Sequence, residues 1–170
     1  MHIIDKSFTG APKNYIIQSL LALVAVAIIL YFVEVLTHAA VVAALGASTF
    51  IVFAMPHSIT AQPRRLVGGH IIGLICGTIC YYAFLTGPLG GLSANWEFII
   101  LFACALSVGL SIFLMTVTNT EHPPAAATAL GIVAHGWSYQ IVIFVLVCAI
   151  GLALIRRVLR GYLRDLVRAK

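Results

Sequence analysis

The sequence predicts an all-α integral membrane protein with four long transmembrane helices plus two short, broken or re-entrant helices. Three observations carry that expectation. Of 170 residues, 62% are hydrophobic and 9% charged, with a mean hydropathy of +1.08, whereas a soluble domain is nearer a quarter charged. Apolar runs recur along the whole chain, and at about 20 residues per crossing there is room for about six spans and no soluble domain. Finally, TVTNTEHPPAAATALG (Thr116 to Gly131) sets a Glu-His pair, two prolines and small polar residues between long apolar runs.

Taken in order, the amino-terminal MHIIDKSFTGAPKN is polar and lies at the surface, and Tyr15 to Val33 forms a first span. That run is too long for the apolar region of a cleaved leader, and no clear cleavage site follows it. After the polar break 34–38, Ala39 to Met55 is a second run, short for a crossing. PHSITAQPRR (Pro56 to Arg65) is the longest polar segment between apolar runs, and Leu66 to Leu85 is the third run. A Gly/Pro loop without Lys or Arg, TGPLGGLSANWE, leads to the span Phe98 to Val117. Pro123 and Pro124 open the next helix, because proline is tolerated at a first helical position whose N–H has no intrahelical partner. That run, to Ala134, is too short to cross alone, and Gln140 to Ile155 is the last. The chain reads as one transmembrane domain, 1–170, divisible into halves 1–86 and 87–156.

Charge sets the topology. If all six runs cross, all ten basic residues fall on one side, which the positive-inside rule makes cytoplasmic, together with both termini. A four-span alternative would put Arg64 and Arg65 opposite the tail. The expected location is a bacterial inner membrane. HAAVVAALG from His38 and HPPAAATALG from His122 form a faint repeat about half a chain apart. Two three-segment units would then be inverted, the plan in which transporters hold substrate where short or broken helices meet.

Gly69, Gly73 and Gly77 recur every four residues and form a helix-packing stripe that lets another backbone approach, within or between subunits. Oligomerisation through this helix, as a homo-oligomer, is the expectation. In the tail 157–170 and just before it, Arg156, Arg160, Arg164 and Arg168 also recur every four residues. A basic amphipathic continuation lying on anionic lipid headgroups accounts for them. No role in nucleic-acid binding is implied. Cys76, Cys80, Cys104 and Cys148 all fall in apolar runs without metal spacing and read as packing residues.

Polar residues inside membrane segments are costly and tend to mark pathways or sites. They gather in two places: Ser48, Thr49, His57, Ser58, Gln62 and Arg65, and Thr118, Asn119, Thr120, Glu121, His122 and Thr128 around the Pro123–Pro124 turn. If the two short helices face each other, hydroxyls, amides, imidazoles and the N–H groups of Ala125 and Ala126 converge without a carboxylate pair. Free N–H groups and the positive dipole end favour an anion there. Each residue also has an ordinary account: Arg64 and Arg65 as positive-inside anchors, Ser48 and Thr49 bonded to their own helix, His70 and His135 as interfacial caps. The six histidines invite a haem or metal reading, but His38, His57, His122 and His135 sit near predicted ends. No metal site, cofactor or enzyme is expected: GxSxG, HExxH and mid-span carboxylates are all lacking.

GASTFIVFAMPHSITAQPRRLVGGH (Gly46 to His70) followed by TEHPPAAATAL (Thr120 to Leu130) resembles the HPP family of small integral membrane proteins. The ordered set GAS, PHS, AQPR, GGH and HPP is more specific than any one motif. The resemblance implies four transmembrane helices and transport, since some plant plastid members are implicated in nitrite transport. The expected function is passage of a small monovalent inorganic anion, nitrite first, between the HPP helix start and the Ser48–Gln62 segment. The alternatives are a non-transporting oligomeric scaffold or regulatory subunit, or a haem- or metal-binding membrane protein.

Overall fold

In a computed structural model of the chain, residues 11–32, 39–86 and 97–167 are described. They form six α-helices: α1 (Pro12–Phe32), α2 (Ala39–Ala54), α3 (Pro63–Tyr81), α4 (Glu97–Thr118), α5 (Pro123–His135) and α6 (Tyr139–Leu159). A 3₁₀ turn, Ile59–Ala61, joins α2 to α3, and α3 runs on into a π-helical turn, Tyr82–Thr86. No strand occurs among the described residues. The polar break 34–38, the loop 87–96, Lys6, Arg168 and the His38 end of the sequence repeat lie outside them.

Three of the described helices are long and apolar enough to cross a membrane: Pro63–Thr86, Phe98–Thr118 and Tyr139–Leu159. α1 has 21 residues, and begins and ends close to the expected first run. α2 and α5, with 16 and 13 residues, reach only about 24 and 20 Å at 1.5 Å per residue, short of a core about 30 Å thick. α3 starts three residues before the expected Leu66, because Pro63 serves as its first residue and places Arg64 and Arg65 in its first turn. That shift matters for His70, which lies two turns inside the helix rather than at its end.

Contacts fix the helix directions. Ser48 in the middle of α2 meets His122 at the start of α5, while Gly131 near the end of α5 abuts Ala40 and Val41 at the start of α2. The two short helices therefore lie side by side and antiparallel. Along α3, Gly69, Gly73 and Gly77 face His122, Ala125 and Ala129 in turn, so α3 and α5 run parallel. α4 begins against the end of α3, where Phe84 and Phe102 pack edge-on, and ends at its start, where Arg64 donates to the Thr118 carbonyl at 3.2 Å. α6 packs Val145 and Cys148 near Val41 and Leu74, and Leu152 and Ala153 near Val52 and Leu66. Successive helices thus alternate between two ends. Lys13 and the described arginines from Arg64 to Arg164 gather at one of them, here the basic end.

The glycine stripe is fully used within this chain. A Cβ at Gly77 would lie 2.7 Å from the Ala129 carbonyl, one at Gly69 2.7 Å from the His122 Cβ, and one at Gly73 would overlap the Ala125 carbonyl. The expectation that this stripe joins subunits is corrected here. Its face is covered by α5, because glycines spaced four apart admit one backbone at van der Waals distance and the nearest comes from the same chain.

The tail also differs from expectation. α6 absorbs Arg156 and Arg157 and ends at Leu159, so the helix does not continue through residues 160–167. Instead the chain turns back under the bundle: Leu163 is buried, the Leu166 N–H donates to the Ala54 carbonyl at 2.8 Å, and Asp165 pairs with His57. Arg156 is buried and donates to the Pro56 carbonyl at 2.9 Å. Helix would leave these partners unmet, and satisfying buried backbone groups outweighs extending an exposed last turn. Gln18 anchors this returning segment, residues 160–167. Its amide donates to the Phe53 and Arg164 carbonyls and its oxygen accepts from the Arg164 N–H. Gln18→Leu strands all three groups and is expected to cost about 2–3 kcal/mol, measurable as a lower unfolding midpoint in detergent.

Candidate functional site

The site is built where α2, α3 and α5 meet. α4 ends in a Schellman turn: the Thr120 N–H donates to the Met115 carbonyl at 2.9 Å and the Asn119 N–H to Thr116 at 3.4 Å. Asn119 takes a positive φ of 61°, a conformation asparagine tolerates better than most residues. Arg65 donates to its side-chain oxygen at 2.9 Å and forms an ion pair with Glu121. Thr120 sits against Gly68. This turn delivers His122 as the residue preceding Pro123, with extended backbone at φ −136° and ψ 95°, the conformation favoured before proline.

His122 points inward and is fully buried. Its Nδ1–H donates to the Thr60 carbonyl at 3.0 Å, and its Nε2 lies 2.9 Å from the Ser48 hydroxyl. The same hydroxyl is 3.0 Å from Nε2 of His70 and 3.0 Å from the Ala44 carbonyl one turn back. Nδ1 of His70 meets the Thr128 hydroxyl at 3.0 Å. The rings stand 5.2 Å apart and tilted by 57°. Ser48, His70, His122 and Thr128 are all without solvent exposure. Counting residues from Pro63, the cluster lies about 10 Å inside the basic end.

Among the described residues no carboxylate touches this chain of hydrogen bonds. Glu121, the nearest in sequence, is engaged by Arg65. Among the described residues no group of three or more His, Cys, Asp or Glu side chains could hold a metal ion. A groove of about 280 Å³ lies between α4 and α5, walled by Ile112, Met115, Thr116, Glu121, Pro123 and Ala126, and His122 forms part of its lining.

Of the residues singled out in the sequence, the structure brings together Ser48, His122 and Thr128. The others do different work. Thr49 bonds back to the Leu45 carbonyl; Ser58 caps the 3₁₀ turn through the Ala61 N–H; Gln62 precedes Pro63 and makes no side-chain cap. His57 pairs with Asp165 on the surface, apart from the cluster. Pro123 and Pro124 open α5 as expected, but the Ala125 N–H donates to the His122 carbonyl at 2.9 Å and is not free for a ligand. Ala126 lines the groove instead.

His70 is the residue that sequence reasoning missed, since it was placed at an interface as a cap. Its signal was present: an ionisable side chain inside an apolar glycine-rich helix is expensive unless partnered, and marks a site by default.

A family model for the HPP transmembrane region matches residues 8–163. A transmembrane protein of Dictyostelium discoideum is 44% identical over 85 residues, which cover 50% of this chain and 27% of the relative. A second transmembrane protein of that organism is 41% identical over 85 residues, covering 50% and 24%. The matched part is therefore about a quarter of the length of these curated relatives. No solved structure matches. With the ordered GAS, PHS, AQPR, GGH and HPP motifs assembled around one helix junction and the family model covering nearly all of the chain, this is a membrane protein that belongs to the HPP family.

Proposed function

We propose that the protein carries a small monovalent inorganic anion, nitrite first, across the membrane together with a proton. The observation that supports this is the buried cluster of two imidazoles joined by one hydroxyl, with no carboxylate in contact among the described residues. Such a cluster is neutral at rest and carries a single positive charge when one ring is protonated. An isolated charge is costly at this depth, and a monovalent anion at the adjoining groove cancels it. A dicarboxylate or metal cation has no complementary charge here. The antiparallel short helices α2 and α5, flanked by longer ones, fit the inverted three-segment plan, with substrate handled where short helices meet. In this reading the positive-inside rule favours the cytoplasmic side for the basic end, with both termini cytoplasmic at a bacterial inner membrane and the exposed Arg157 and Arg160 facing anionic headgroups.

A second reading has its own observation. Every ring nitrogen and hydroxyl in the cluster is bonded within the chain, as polar glue between membrane helices requires. The protein is then a non-transporting subunit or scaffold. Purified protein in liposomes separates the two. The transport reading expects nitrite uptake above protein-free vesicles, faster when the outside is acidic, after subtraction of nitrous acid leak. Absence of nitrite, nitrate and chloride flux overturns it in favour of the scaffold.

A further inference from the structure

The hydrogen-bond chain has a direction, and the direction identifies where a proton is held. A carbonyl only accepts, so Nδ1 of His122 must carry the hydrogen it gives to Thr60. In the neutral ring Nε2 is then a lone pair, and the donor facing it at 2.9 Å is the Ser48 hydroxyl. Ser48 has one hydrogen. With that hydrogen on His122, the contact to His70 is a bond only if His70 Nε2–H donates to the Ser48 oxygen. Nδ1 of His70 is then the acceptor, and Thr128 donates to it. One arrangement satisfies every atom, and it places the two histidines in opposite tautomers.

A proton added to this arrangement has one inexpensive destination. If it lands on Nε2 of His122, the Ser48 hydrogen swings to the Ala44 carbonyl, already 3.0 Å away, and the Ser48 oxygen accepts from both rings. All partners remain satisfied with no heavy atom moved. If it lands on Nδ1 of His70, the Thr128 hydrogen loses its acceptor. A second proton is opposed by the first, since the rings are 5.2 Å apart in a medium that screens poorly.

We infer that His122 is a single-proton binding site, with the Ser48 hydroxyl as its two-position partner and His70 held neutral as the Nε2–H tautomer. This rests on the transport reading for its purpose, as the site that couples proton to anion, but not for its geometry. Among the described residues the surroundings supply no counter-charge to the site. Besides Ser48, α2 offers only the Thr49 hydroxyl, and the 3₁₀ turn offers the Thr60 carbonyl. α3 brings the cysteines Cys76 and Cys80 and, at its start, Arg64 and Arg65, the latter paired with Glu121. α4 brings Cys104 and α5 the Thr128 hydroxyl. The buried face of α6 adds Cys148 and Arg156, which is bonded to Pro56.

The test is ¹⁵N NMR of histidine-labelled full-length protein in lipid nanodiscs across a pH series, with His122→Gln and His70→Gln used for assignment. At high pH, His122 is expected as the Nδ1–H form and His70 as the Nε2–H form. On acidification only Nε2 of His122 gains a proton, while His70 keeps its tautomer. In Ser48→Ala, His70 is released from its single tautomer. A shared tautomer at high pH, simultaneous titration of both rings, or protonation of His70 first overturns the inference, and the wild-type spectra decide this even if the variant fails to fold. Nitrite uptake without this titration removes the coupling site and keeps transport; the titration without uptake keeps the site and removes transport.

Discussion

Gly73→Ala is expected to cost about 3 kcal/mol or more and to deplete folded protein in detergent, judged by thermal unfolding and monodisperse elution. The added Cβ would clash with the Ala125 carbonyl oxygen, and neither side can yield. The Ala125 turn is fixed by its bond to His122 and by two prolines, while α3 is held on its flanking glycines against Thr120, His122 and Ala129. Overpacking between backbones forces helices apart rather than turning a side chain. Gly109 and Gly151 supply the control, because a Cβ there meets nothing within 4 Å. Alanine at those helical positions is expected to be neutral or to stabilise by about 0.5–1 kcal/mol. Equal behaviour of Gly73→Ala and Gly109→Ala would show that α3 and α5 are not in backbone contact.

The second large effect concerns His122. Truncation to alanine leaves the Thr60 carbonyl without its donor and the Ser48 hydroxyl facing a void, and is expected to cost about 2–4 kcal/mol. That loss confuses stability with activity, so glutamine is the informative substitution. Its amide retains volume and hydrogen-bonding capacity but does not take up a proton at physiological pH. His122→Gln is expected to reach the bilayer folded while losing uptake driven by an acidic exterior. Under the scaffold reading the same variant changes little.

Much of this arrangement was legible in the residues. Composition and run lengths mark a membrane protein, and Pro123 and Pro124 mark the start of α5 because proline is tolerated in a helix's first turn but not in its interior. The glycine spacing marks a close helix approach, but not whose helix fills it, since periodicity describes one face and the partner comes from tertiary packing. The same limit explains the tail: arginines four apart suit an exposed helix, whereas Gln18, His57 and Ala54, distant in sequence, supply the partners that fold residues 160–167 back. Ser48, His122 and Thr128 could be nominated as polar residues at short helices. Their union required His70, whose position two turns into α3 depends on the helix starting at Pro63. A three-residue shift in a boundary moved a histidine from a membrane interface to the centre of the site.

The most direct measurement is acid-driven nitrite uptake by wild-type and His122→Gln protein, reconstituted in equal folded amounts, with protein-free vesicles as the baseline. The account predicts uptake above baseline for the wild type and baseline uptake for the variant. Equal acid-driven uptake by both proteins would contradict it, because nitrite would then cross without the protonated His122–Ser48–His70 cluster.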